Sequence, residues 1–440
     1  MKPVIDVHSH IFSARDIPVK GYLLTRKHKQ FAEKVMGPAL IPAISECIRK
    51  PDSEQKYMKC RMALGMFRLI MGAHYHGWAT TLSKSIPHIV KELFDTYDPS
   101  GIDLYVPLMI DFEYWFKNTV DAPIRDQIEY IADNILPENK GRIHPFVPFD
   151  PVRELAFRKG MNNPDGYPEE FGSLNLVKTA IEYQGFLGVK IYNSLGYRPI
   201  GNSLVDDERR GIFRKTGNQV YGIFTGHEID SVLLELYQYC EENGVPITAH
   251  CVMDGIESYP KASYVFCRPE FWCDVLNQFS TLKVNLAHFG WNQSKGQGYN
   301  GDTSWVKIIC QMITLYENLY ADVSHHRVTQ KDKREMFVTG YREMRHDFAT
   351  RNHWTKIKKH LLFGIDWHVV KRVKDYRDFK GAYERILRQN DLFSDEDIAD
   401  FLGGNAMTFL GLNPGGDSRM RLEAFYQDHE ITPPAWWGAA

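Results

Sequence analysis

The chain has 440 residues, 43% of them hydrophobic and 25% charged, with a formal net charge of −2 at pH 7. That length exceeds one small domain, and the charge balance gives no electrostatic case for nucleic acid or a membrane surface. No apolar run is long enough for a signal peptide or a membrane span, and seven irregularly spaced cysteines without a C-x-x-C exclude a disulfide framework and a zinc ribbon, so a cytoplasmic location is expected.

Short apolar runs alternate with longer amphipathic stretches. The first run is VIDVH (4–8). A segment of roughly residues 13–100 follows, with helical patterns such as SEQKYMKCRMALGMFRLIMGAHYHGW. IDLYVPLMI (102–110) and RIHPFVPF (142–149) come next, then FLGVKIY (186–192), VPITAHC (245–251), KVNLAHF (283–289), LYADVS (319–324) and HLLFGIDWH (360–368). All are rich in Val, Ile, Leu and Phe, as strands buried on both faces should be. Apolar residues recur at helical spacing over 124–136, 173–184, 227–243 and 303–318. Thr303 or Ser304 is placed to cap the last of these, and Gly185 and Gly244 fall where C-terminal caps belong.

Eight strands with intervening helices predict an α/β fold, a (β/α)8 TIM barrel over residues 1–412, with a large helical insertion between strands 1 and 2. A doubly wound open sheet is the alternative, but no strand is followed by G-x-G-x-x-G. Residues 413–440 form a C-terminal extension. Its ITPPAWWGAA has two adjacent tryptophans, costly to expose, and is expected to pack on the barrel or a partner subunit.

The ionisable residues cluster at strand ends. In VIDVHSHIF (4–12), Asp6, His8 and His10 fall on alternate residues and so share one face of a strand. His250, His288 and Asp366 close later apolar runs, and Lys190 lies near the end of the fourth. Burying such groups without partners would cost several kcal/mol each. The loop NSLGYRP (193–199) offers Arg198 as a bidentate carboxylate grip, with Tyr192 and Tyr197 as hydroxyl sources. His74 and His76 read as a loop or helix end. His325 and His326 follow the seventh strand and reach either the barrel mouth or the surface, and His368 could line the pocket.

The pieces DVHSH, GVKIY, ITAHC, LAHFG, FGIDWH and GNAMTFLGL (404–412), in this order, resemble the amidohydrolase superfamily. The resemblance is greatest to its amidohydrolase 2 branch of small-acid hydrolases and decarboxylases. It implies one divalent metal bound by His8, His10, His250 and Asp366. Zinc suits that donor set, with Mn, Fe, Co or Ni as alternatives. It further implies a water whose pKa the metal lowers to about 7. Asp366 would be the base, and His288 would polarise the substrate or shuttle a proton. Asp6 is expected to be a hydrogen-bond acceptor outside the ligand set.

Lys190 holds the strand-four position at which binuclear members carry a carboxylated lysine. One metal, with unmodified Lys190 beside Tyr192 and Arg198 on the substrate side, is the preferred expectation. The implied reaction is hydrolysis of an ester, lactone or amide of a small organic acid. The alternative on the same residues is a non-oxidative decarboxylase of a small carboxylic acid. A binding protein on an inactive barrel would not need this convergence. A polymerase-and-histidinol-phosphatase-like phosphoesterase shares Asp-x-His-x-His but has seven strands. The expected partner is a carboxylate-bearing small molecule, not nucleic acid or membrane. A homo-oligomer is left open.

Overall fold

The computed structural model describes residues 2–18, 76–116, 120–164, 166–207, 223–259, 261–291, 299, 304–350 and 352–438. Each of the eight apolar runs contains a strand. These are β1 (Ile5–Ser9), β2 (Leu104–Pro107), β3 (Phe146–Pro148) and β4 (Gly188–Ile191), then β5 (Ile247–His250), β6 (Val284–Ala287), β7 (Leu319–Asp322) and β8 (Leu361–Leu362). All pair in parallel, β1 with β2 and β3 through β8 in sequential order. Bridges at Tyr105–Ile143 and Leu108–Phe146 join β2 to β3, and Ser9–Trp367 joins β1 to the chain beyond β8. Val7 N donates to Phe363 O (3.1 Å) and Asp366 N to His8 O (2.6 Å) across that seam. The eight strands therefore form one ring.

Every strand residue is buried, which explains the unbroken apolar runs: one face packs inside the ring and the other under helices. The helices Ser173–Tyr183, Gly226–Glu242 and Trp305–Leu315 occupy three of the amphipathic stretches. Ser304 Oγ accepts from Lys307 N and caps the last. The stretch 124–136 is helical but contains a π turn at Ile131–Ile135. Between β1 and β2, helices His76–Leu82 and Ile86–Tyr97 are described. The remainder of the expected insertion, residues 19–75 with His74, lies outside the described residues, as do 208–222 and most of 291–302.

The C-terminal residues pack on the barrel itself. Trp436 and Trp437 are buried, and the Tyr426 hydroxyl lies 2.7 Å from His144 Nε2 just before β3. Because His144 precedes its strand, this contact closes the N-terminal end of the ring, away from the strand C-termini. The five described cysteines are free, and no helix among the described residues is long and apolar enough to cross a membrane.

Candidate active site

The side chains from the strand C-termini meet in one cavity of about 260 Å³. His8, His10, Tyr192, His250, His288, His325 and Asp366 all line it. Beneath the cavity lining lies a buried carboxylate that the sequence reading missed, Asp322 at the end of β7. Asp322 accepts from Asn285 Nδ2 (2.8 Å), from the backbone N–H groups of His288 and Ser324 (3.1 Å each) and from Ser324 Oγ. Burial alone would raise its pKa, but the neighbouring His8 and these donors hold it well below the usual carboxylate range. The signal was present in LYADVS, where an aspartate ends an apolar run as His250 and Asp366 do.

Tautomers follow from these partners. A carbonyl only accepts, so His10 Nδ1, 2.8 Å from Leu108 O, carries the proton. His8 Nδ1, 3.2 Å from Asp322 Oδ2, does likewise. Both rings then turn Nε2 toward Asp366, whose Oδ1 lies 3.3 Å from His10 Nε2 and 3.8 Å from His8 Nε2. Burial would raise the Asp366 pKa, but His10 and His325 hold it well below the usual range. Two imidazole nitrogens and an anionic oxygen thus converge on one point, an arrangement that a cation would satisfy. Donors about 2.1 Å from a tetrahedral ion lie about 3.4 Å from one another, so the spacing is near that of a metal site. His8, His288 and Asp322 are also close enough to hold an ion. His8 Nδ1, however, already donates to Asp322, which makes that carboxylate the orienting partner of His8.

His250 lines the cavity but stands apart from His8, His10 and Asp366. Its Nε2 lies 2.7 Å from the Asp254 carbonyl and must donate to it, so this nitrogen offers no lone pair to the cation position. Burial, with Lys190 nearby, pushes its pKa down to about 3. His288 remains at the site: its Nδ1 lies 2.9 Å from Ser324 Oγ, which leaves Nε2 for the cavity. Burial and the adjacent His8 and His250 rings keep it neutral, its pKa well below the ordinary imidazole value. His325 also reaches the cavity, with Nδ1 2.7 Å from Asp366 Oδ2. His288, His325 and Asp366 all adopt positive φ (64°, 61° and 67°), a conformation that stores of order 1–3 kcal/mol per residue and recurs at functional sites. Gly364 permits the close approach, since a Cβ there would sit 2.9 Å from His8 Cβ.

The profile of the Amidohydrolase family (amidohydrolase 2) matches residues 155–412, more than half of the chain. The chain belongs to that family. Among solved structures, this amidohydrolase is similar to a TIM-barrel protein of Bordetella bronchiseptica, at 16% identity and TM-score 0.45, over 93% of this chain and 98% of that one. It is also similar to amidohydrolase 2 from Bifidobacterium longum subsp. infantis, at 12% identity and TM-score 0.41, over 93% and 99%. A third is an amidohydrolase from Burkholderia multivorans with bound zinc, at 12% identity and TM-score 0.39, over 73% and 87%. No curated protein sequence matches.

The remaining expected residues of this amidohydrolase fall in different places. Asp6 is buried, and its Oδ1 accepts from His8 N (3.1 Å) and Ile365 N (2.9 Å), so it ties β1 to the chain beyond β8. Tyr192 stands in the wall, its ring centroid 4.5 Å from that of His250, its hydroxyl accepting from Ile256 N. Lys190 lies deeper, inside the ring. Its Nζ finds no hydrogen-bond partner among the described residues, and burial lowers its pKa to about 8. Arg198 is a correction: its guanidinium stacks 4.2 Å over the Phe271 ring, and it is not among the residues that line the cavity. The loop carries it outward because Asn202 Oδ1 captures its backbone N–H and Asn202 Nδ2 donates to its carbonyl. His368 is a second: it is fully buried behind Phe12, with Nε2 donating to the Phe12 carbonyl (3.1 Å). His326 points away as well, its Nε2 on the His288 carbonyl (3.0 Å).

Proposed function

We propose that this enzyme is a metal-dependent hydrolase of a small organic acid derivative, an ester, lactone or amide, with one divalent ion, zinc by preference. The observation that carries the reading is the convergence of His8 Nε2, His10 Nε2 and Asp366 Oδ1 on one point. These three residues would hold the ion, and His250 would join them by exchanging Asp254 O for it. A bound cation there supplies a Lewis acid and lowers the pKa of adjacent water.

The chain's own groups account for the rest. His8 and His10 are held in the ligating tautomer by Asp322 and the Leu108 carbonyl. Asp366 Oδ1 faces the ion position while Oδ2 faces His325, so one carboxylate can take a proton from the attacking water and return it to the leaving group. His288, neutral and with Nδ1 donating to Ser324 Oγ, turns an Nε2 lone pair into the cavity, where it can take up and pass on a proton. Lys190 stays unmodified and cationic beneath the site, its charge offsetting Asp322 and Asp366.

Elemental analysis, together with turnover of a panel of small lactones, esters and amides before and after chelation, tests the reading. One metal per chain, with activity lost on chelation and regained with zinc, is the expected result. Full turnover by metal-free protein would overturn it.

A further inference from the structure

Ser324 lies two residues beyond Asp322, the last residue of β7, and its side chain turns to the same inward face. It is buried at the base of the cavity and packed from the chain beyond β8, where a Cβ on Gly364 would lie 3.1 Å from Ser324 Cβ. Its hydroxyl has three polar neighbours: Asp322 Oδ1, His8 Nδ1 at 3.0 Å and His288 Nδ1 at 2.9 Å. A hydroxyl has one proton to give and two lone pairs with which to accept.

The donors and acceptors around it leave one arrangement. The Asp322 carboxylate only accepts, and its other partners are N–H groups: Asn285 Nδ2, His8 Nδ1 and the backbone of His288 and Ser324. The serine proton therefore goes to Asp322. Both lone pairs are then left to the two imidazoles, and each ring must bring its own proton on Nδ1. The Ser324 carbonyl, 3.4 Å from His288 Nδ1, favours the same placement, because a carbonyl cannot donate. The two rings do not depend on the serine equally. His8 Nδ1 has a second acceptor in Asp322, at 3.2 Å, whereas Ser324 Oγ is the sole side-chain acceptor on His288 Nδ1 among the described residues. Were the hydroxyl to donate to His288 instead, the ring proton would sit on Nε2 and His288 would face the cavity as a donor.

We infer that Ser324 is a positioning residue: with its proton committed to Asp322, it fixes the tautomer of His288, so that Nε2 meets the substrate as a proton acceptor. The group opposite His288 must then have a proton to give. That group is the attacking water or an O–H or N–H of the substrate, not a bare carbonyl oxygen. Only this last step rests on the hydrolase reading above; the tautomer stands on the hydrogen bonds alone.

The test is nitrogen-15 NMR of the full chain, chelator-treated and labelled in its histidine rings, at about pH 8, where free imidazole is neutral. The His8 and His288 signals are assigned by their loss in His8→Gln and His288→Gln. In the wild type both rings are expected to carry their proton on Nδ1. Ser324→Ala removes one hydrogen-bond acceptor, so the Nε2–H tautomer of His288 should gain about fivefold in population, while His8, still held by Asp322, keeps its own. A merely structural role for Ser324 would disturb both rings together. His288 protonated at Nε2 in the wild type overturns the inference, whether or not the variant folds. So does a His288 tautomer that Ser324→Ala leaves unchanged, or one that shifts only together with that of His8. Failure of the metal-dependent reading shows separately, as turnover that survives chelation, and leaves the tautomer result on metal-free protein standing.

Discussion

The His8 imidazole and the Asp322 carboxylate form a buried pair, Nδ1 to Oδ2 3.2 Å, that runs across the interior from β1 to β7. Asp322 lies under the site and makes no contact with the cavity lumen, yet it decides which nitrogen of His8 is free. Carboxylates that orient a ligating histidine contribute about ten- to a hundredfold to metal affinity. Asp322→Asn is therefore expected to weaken zinc by about that factor, read by titration against a competing chelator. Unaltered zinc affinity would show that His8 is oriented by Ser324 alone.

Asp366 stands between the two histidines of β1 and His325, with one oxygen toward each side. Asp366→Asn keeps the shape but cannot take up a proton. Turnover should fall by about two to four orders of magnitude. Metal content measured on the same sample separates loss of the base from loss of a ligand: a metal-replete, inactive variant assigns the defect to proton transfer. Near wild-type turnover would remove Asp366 from the mechanism.

The loop after β5 closes against the site at Gly255. Its φ is 123°, and an added Cβ would lie 2.7 Å from both His250 Nε2 and the Tyr192 hydroxyl. No other residue type fits without moving the loop. Gly255→Ala should displace His250 and Tyr192 together and lower kcat/KM by about tenfold or more, since misplacement of about 1 Å is enough for that. A steady-state assay and a thermal melt decide the matter. Unchanged kinetics would mean that the loop relaxes freely and does not position the wall.

The barrel was legible because its strands are buried on both faces, which leaves an apolar run at every strand and makes Asp6, His8, His10, His250, His288 and Asp366 conspicuous where such runs end. Asp322 carries the same mark in LYADVS but lacks the histidine that drew attention to the other runs. The misplaced residues share a different cause. Arg198 is the arginine of a loop after β4, and nothing in NSLGYRP says that Asn202 will turn it onto Phe271. The His250 tautomer depends on the Asp254 carbonyl, a backbone group whose direction no residue pattern specifies. Strand-borne groups follow from alternation, whereas loop-borne ones depend on tertiary contacts.

At the other end of the ring, His144 ties the C-terminal helix Asp417–Asp428 to the barrel. Nδ1 lies 2.8 Å from the Gly185 carbonyl and must donate to it, and Nε2 accepts from the Tyr426 hydroxyl at 2.7 Å. Burial lowers its pKa from the ordinary 6.5 to about 4. The unfolded chain therefore binds the proton more tightly than the folded one between pH 6.5 and 4, and folding stability falls as pH drops through that window. The full effect of this one residue is about 3 kcal/mol. His144→Gln, which can donate to Gly185 O and accept from Tyr426 but does not titrate, should lose less stability between pH 7 and pH 4 than the wild type does. Urea unfolding at both pH values, compared between the two proteins, measures the difference. Equal pH dependence in both would show that His144 is not the group whose protonation releases the C-terminal helix.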